Sequence, residues 1–116
     1  MTDVQLYGIP NCDTVKKARV WLGEHGVVYQ FHDYKKQGVD PARLVQWCGQ
    51  VGWEKLVNRA GTTFRKLPDA DKVIDGEDSA IALMVANPSL IKRPVVEYPG
   101  GLLVGFSAES YARAFS

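Results

Sequence analysis

The stretch "GIPNCDTVKKAR", residues 8 to 19, holds Cys12 between the end of an apolar run and the first turn of a basic helix. The first turn of a helix presents backbone N–H groups without intrahelical partners and a partial positive charge, so a thiolate is favoured there over the thiol. A free cysteine titrates near ~8.5, and helix N-termini or cationic neighbours bring it to about 3.5–7.5. Lys16, one turn on, adds to this effect, whereas Asp13 opposes it unless its carboxylate is spent on capping. Cys12 is therefore a candidate nucleophile. Its surroundings, Asn11, Asp13 and Thr14, are polar, which distinguishes it from a cysteine that only packs. Cys48, the other cysteine, lies beside Leu44 and Trp47 on an apolar helix face and reads as core.

A dithiol redox device normally uses C-x-x-C, and here the fourth position of "CDTV" is Val15. One sulfur attacks, and the resolving thiol must come from outside, with glutathione or a dithiol protein as the natural cytosolic sources. A thiolate working on an oxyanion, or a mixed disulfide with glutathione, needs cations nearby. Arg93, before Pro94, and Arg59, after "KLVN", are the candidates, with Arg65 a rival to Arg59. Arg43, Lys92 and Arg113 read as solvated surface. Neither His25, at a helix end, nor His32, within a strand, has a neighbour that makes a cysteine–histidine pair, and no cluster with metal-ligand spacing is visible. Trp47, Trp53 and Phe64 read as core of the middle region.

The elements that must position these residues follow from pattern. "VQLYGI" (4–9) reads as a strand stopped by Pro10. Val15, Ala18 and Leu22 recur at i, i+3 and i+7 and predict a helix from Asp13 to about His25, closed by Gly26. "VVYQFHDY" (27–34) reads as a second strand, parallel to the first through a right-handed crossover. Asp40 and Pro41 start a further helix with Leu44, Val45, Trp47 and Cys48 on its apolar face, weakened at Gly49 and Gly52. "WEKLVNR" is a second short helix, and 60–76 is loop with short helical turns. "EDSAIALMVANP" predicts a helix ending before Pro88, with Asp78 or Ser79 near its start and Ile81, Met84 and Val85 on one side. "VVEY" and "LLVGF" form a hairpin around the three-residue turn "PGG". A final helix is capped by Ser107.

The order is β-α-β, a helical insert at about 40–90, then β-β-α, within one domain spanning 1–116. The 116 residues are 46% hydrophobic, enough for one core. Fourteen Lys and Arg against thirteen Asp and Glu leave a formal charge of +1, which gives no global attraction to nucleic acid or anionic membrane. No apolar run approaches the roughly 18 residues of a spanning helix, and "MTDVQLYG" is unlike a signal peptide. A cytoplasmic protein is expected.

With "LYGIPNCDTVKKARVWL", "RAGTTFRKL", "IKRPVVEY" and "LLVGFSAESY" in family order, the chain resembles the ArsC/Spx (arsenate reductase-like) family and most closely its YffB-like branch. The resemblance covers nearly the whole chain. It implies an α/β, thioredoxin-like fold with a helical insertion between the two halves. It also implies that Cys12 is the catalytic nucleophile, that Arg93 is the arginine before a cis-proline, Pro94, and that Arg59 stands nearest to the arginine of the insert. Asn11, Lys16, Arg59, Arg93 and Pro94 are thus the expected substrate- and anion-binding residues. The glutaredoxin-linked arsenate reductases place a third arginine after the final strand, where this chain has Gly105. Loss of one such donor is worth about 2.7–4 kcal/mol by analogy with an oxyanion hole. The resemblance therefore implies a glutathione-dependent thiol reductase, with arsenate reduction and a Spx-like regulator of the transcription machinery as the alternatives. Glutathione is the expected co-substrate and glutaredoxin a further partner. No bound cofactor or metal, no nucleic acid, no membrane and a monomeric state are expected.

Overall fold

In the computed structural model, residues 3–115 are described. The chain divides into two compact units, one made of the chain up to Gln37 and from Arg93 onward, the other Gly38–Lys92.

The first unit is built on four short strands, β1 (Gln5–Gly8), β2 (Gln30–Asp33), β3 (Val95–Tyr98) and β4 (Gly101–Val104), in the order β2-β1-β3-β4. β1 runs parallel to β2 and antiparallel to β3, and β3 runs antiparallel to β4. This is a mixed α/β sheet of the thioredoxin type. Helix α1 (Asp13–Glu24) makes the crossover from β1 to β2. Its i, i+3, i+7 stripe, Val15, Ala18 and Leu22, is fully buried. These side chains pack with Leu6, Val96 and Tyr111, the last from helix α8 (Ala108–Phe115). Each large aliphatic group so buried is worth about 1.5–3 kcal/mol over exposure. Tyr111 also donates from its hydroxyl to Gly105 O at 2.9 Å, so this ring both fills the core and holds the loop after β4.

Several strand boundaries differ from the sequence pattern, β1 being trimmed to Gln5–Gly8 and β4 ending at Val104. β2 begins at Gln30 because β1 offers four residues to pair, Gln5↔Gln30 through Gly8↔Asp33. Val27 is instead tied to the end of α1, its N–H donating to Leu22 O at 2.9 Å. Tyr34 lies outside the strand and opens the single-turn helix α2 (Tyr34–Gln37). The hairpin turn is two residues, Pro99 and Gly100, rather than three, because Gly101 already pairs with Tyr98.

The second unit is helical: α3 (Pro41–Val51), α4 (Trp53–Leu56), α5 (Thr62–Arg65), α6 (Asp69–Lys72) and α7 (Glu77–Ala86). Asp40 caps α3 by accepting from Ala42 N–H at 2.9 Å. The helix runs through Gly49 and stops at Gly52. Leu44, Trp47, Cys48, Leu56, Ala80, Ile81 and Met84 are buried. Val45 and Val85, expected on apolar faces, point outward, 51% and 38% exposed. α7 starts at Gly76 without a side-chain cap, so neither Asp78 nor Ser79 caps it. The unit is closed on itself by a bridge between Val57 and Ile91 and by Lys92 N–H donating to Leu56 O at 2.7 Å.

Candidate functional site

The register of the sheet determines what meets at one of its edges. Gly8 ends β1 beside Asp33, the last residue of β2, while Tyr7 faces Val95, the first of β3. The loop after β1, the start of α2 and the dipeptide before β3 therefore lie along the same edge, the carboxyl ends of the two parallel strands. That loop carries Asn11 and Cys12, α2 begins with Tyr34, and the dipeptide is Arg93-Pro94.

Cys12 is the N-cap of α1, with extended backbone angles and no side-chain capping hydrogen bond. Its backbone is fixed at both ends of the turn, N–H to Ile9 O at 3.2 Å and O from Lys16 N–H at 3.0 Å. The side chain is half-buried against the core and spared from capping duty. Packing at the start of α1 is tight: a Cβ on Gly8 would lie 2.8 Å from Val15 Cγ2. β-Branched Val15 is stiff in a helix, so glycine is what lets β1 approach this turn.

The Arg93–Pro94 peptide bond is cis, Pro94 is buried and Arg93 is half-buried. Pro94 O accepts from Gly105 N–H at 2.8 Å, which ties the proline loop to the segment after β4. Gly105 has φ 81°, in the left-handed region that favours glycine. Gly105, which the family resemblance sets in place of a third arginine, therefore has a backbone reason to be glycine.

Sequence reasoning missed Tyr34. It is 1% exposed, and burial pushes its phenol strongly upward; Arg93 acts in the opposite sense, while Cys12 and Asp33 raise it further. The phenol is thus within electrostatic reach of both the cysteine and the arginine. The only sequence signal was an aromatic directly after the strand-ending Asp33.

Asn11 and Lys16 are both exposed, on either side of Cys12. Arg59 and Arg65 belong to the helical unit. Arg59 lies in the turn after α4 with its guanidinium carbon 5.2 Å from the centroid of the Trp53 ring, and Arg65 donates from Nη2 to Ala60 O at 2.7 Å. The histidines hold structural contacts: His25 stacks on Trp21 with centroids 3.7 Å apart, and His32 donates from Nε2 to Gln5 Oε1 at 2.6 Å. Cys48 is 4% exposed, and burial, with a smaller contribution from Glu77, pushes its thiol up to about 11. Among the described residues, no group of three or more His, Cys, Asp or Glu is placed to hold a metal ion, and no helix is long and apolar enough to cross a membrane.

The model of the ArsC family matches residues 7–114. The chain belongs to the ArsC family. The solved structure of a protein named YffB superimposes on this ArsC-family chain with a TM-score of 0.93 and 56% identity, covering 97% of this chain and 99% of that one. An arsenate reductase (ArsC) related protein from Brucella melitensis is 52% identical with a TM-score of 0.74, covering 100% and 96%. The global transcriptional regulator Spx of Streptococcus mutans is 32% identical over 97% of this chain and 82% of its own length.

Proposed function

We propose that this ArsC-family chain is a glutathione-dependent thiol oxidoreductase of the cytoplasm with Cys12 as its single nucleophile. The Cys12 thiolate attacks a mixed disulfide between a substrate thiol and glutathione, forms a Cys12–glutathione disulfide and releases the substrate thiolate. A second glutathione thiolate then attacks the glutathione sulfur, which restores Cys12 and releases oxidised glutathione, so that two electrons pass from glutathione to the substrate. Arg93 holds a glutathione carboxylate, and the backbone next to Pro94 lines the tripeptide. Arg59 is a further anion ligand by family resemblance, with Arg65 its rival; Asn11 and Lys16 flank the thiol.

The observation that carries this reading is Cys12 itself, half-buried at the head of α1 with its side chain unused, on the edge that also carries Arg93-Pro94. Val15 supports the need for an external thiol, since no second cysteine follows at C-x-x-C spacing. The test is intact-mass measurement after incubation with oxidised glutathione. One glutathione on Cys12 is expected; an unmodified chain, or an adduct on Cys48, overturns the proposal.

The likeness to Spx favours a second reading, a protein-binding module that contacts the transcription machinery without turnover. Adding reduced glutathione to the Cys12 adduct separates the two: discharge of the adduct with catalytic turnover of a glutathione mixed disulfide supports the enzyme, and no turnover supports the module.

A further inference from the structure

The helical unit carries a surface that the thiol chemistry does not use. Helix α7 has no charged residue after Asp78, and its apolar residues run around its whole circumference. Ala80, Ile81 and Met84 are buried, while Ala82, Val85 and Ala86 are exposed and Leu83 is half-exposed. A helix apolar on all sides is ordinarily covered on all sides. Here the outer face of α7 and the segment after α6 enclose an open groove of about 440 Å³, with Val73, Ile74, Ala82, Leu83 and Ala86 among its lining residues and Asp71 at its rim. Val73 is 68% exposed, the second-highest value among the large exposed apolar side chains of the described residues.

Charge says what fits there. The stretch from Asp69 to Asp78 holds five carboxylates, Asp69, Asp71, Asp75, Glu77 and Asp78, against one lysine, Lys72. That lysine is already engaged, its Nζ 3.8 Å from Asp69 Oδ1. Asp71 lines the groove itself, and Asp75, Glu77 and Asp78 line an adjoining recess that shares Ser79 with it. An apolar floor beside these carboxylates repels nucleic acid and anionic lipid and matches a helix with one aliphatic and one cationic face.

We infer that the groove between α7 and the α6–α7 segment is a docking site for a cationic amphipathic helix of a partner protein. Its aliphatic residues seat between Val73 and Leu83, and its lysines or arginines face Asp71, Asp75 and Asp78. This inference is independent of the reading of Cys12.

The probe is a Leu/Lys peptide of roughly 14 residues, long enough to hold a helix, with a Leu/Glu peptide of the same pattern as control. Titrated into the isotope-labelled full chain, the Leu/Lys peptide is expected to shift amide signals at 70–75 and 82–87, with an affinity that falls as salt rises. Val73→Asp, at an exposed position, is expected to weaken binding about tenfold, and Leu83→Glu to do the same. Shifts spread elsewhere, equal binding of the Leu/Glu peptide, or unchanged affinity in both variants with native circular dichroism overturns the site. Concentration-dependent self-association in sedimentation that Val73→Asp abolishes would assign the groove to a second copy of this chain and overturn the proposed occupant.

Discussion

Cys12 and Cys48 both sit against helices, one at a helix N-cap and the other on a helix's inner face. Cys12 precedes the first turn of α1, where backbone N–H groups converge and the side chain is half-buried and uncapped. Cys48 is on the inner face of α3, near its C-terminal end, where its carbonyl accepts from Gly52 N–H and the residue is 4% exposed. The difference teaches that end and face, rather than membership of a helix, decide whether a cysteine is chemistry or packing. Low exposure, with a smaller contribution from Glu77, favours the neutral thiol of Cys48, which is pushed up to about 11.

The strongest way to break the comparison is to exchange the two thiols for hydroxyls. Cys12→Ser is expected to abolish the glutathione adduct and all thiol-reductase turnover, whereas Cys48→Ser leaves adduct formation intact. Iodoacetamide should label Cys12 alone in the folded chain and both cysteines after denaturation; native labelling of Cys48 removes the distinction.

Arg93 tests the Cys12 side next. Arg93→Ala should weaken glutathione capture by about 1.5–3 kcal/mol, the range of a hydrogen bond to a charged group, as measured by the glutathione concentration that half-saturates the adduct. Arg93→Lys should restore little of it if the contact is bidentate. Unchanged saturation in both variants takes Arg93 out of the site.

Gly105 tests the scaffold behind Pro94. At φ 81° an alanine should cost about 1–2 kcal/mol, read as a fall in the denaturation midpoint. Gly105→Arg carries the same backbone cost, so a gain of arsenate turnover in that variant would have to overcome it.

The smallest effect concerns Cys48. Its folded value, about 11, lies above that of a free thiol, ~8.5, so burial of the neutral thiol contributes stability in full below about pH 8.5. That contribution fades as pH rises toward about 11, because the unfolded chain loses the proton first. Thermal melts across this window should fall less steeply for Cys48→Ala than for the parent. Equal slopes would place the alkaline loss on other groups, of which Tyr34 and Tyr111, both raised by burial, are the leading ones.

Local patterns made much of this legible in sequence. The stripe Val15, Ala18, Leu22, the Asp40-Pro41 start and the paired runs around Pro99 each obey rules that act over a few residues. What escaped depends on neighbours distant in the chain. Val45 and Val85 share the composition of an apolar face, and only the packing of the helical unit decides which side of each helix is inward. β2 is short because β1 is short, a fact written in β1. Tyr34 matters through burial and through the charges of Cys12 and Arg93, and its own surroundings in sequence, Asp33 and Lys35, read as surface. The left-handed backbone of Gly105 depends on where Pro94 O and the Tyr111 hydroxyl sit.

The contact between Gly8 and Val15 has an evolutionary consequence. With 2.8 Å between a would-be Cβ and a stiff valine methyl, any side chain gained at position 8 must wait until position 15 has been shortened. Substitutions at these two sites are thus epistatic: a side chain at position 8 is tolerated only together with a smaller residue at position 15.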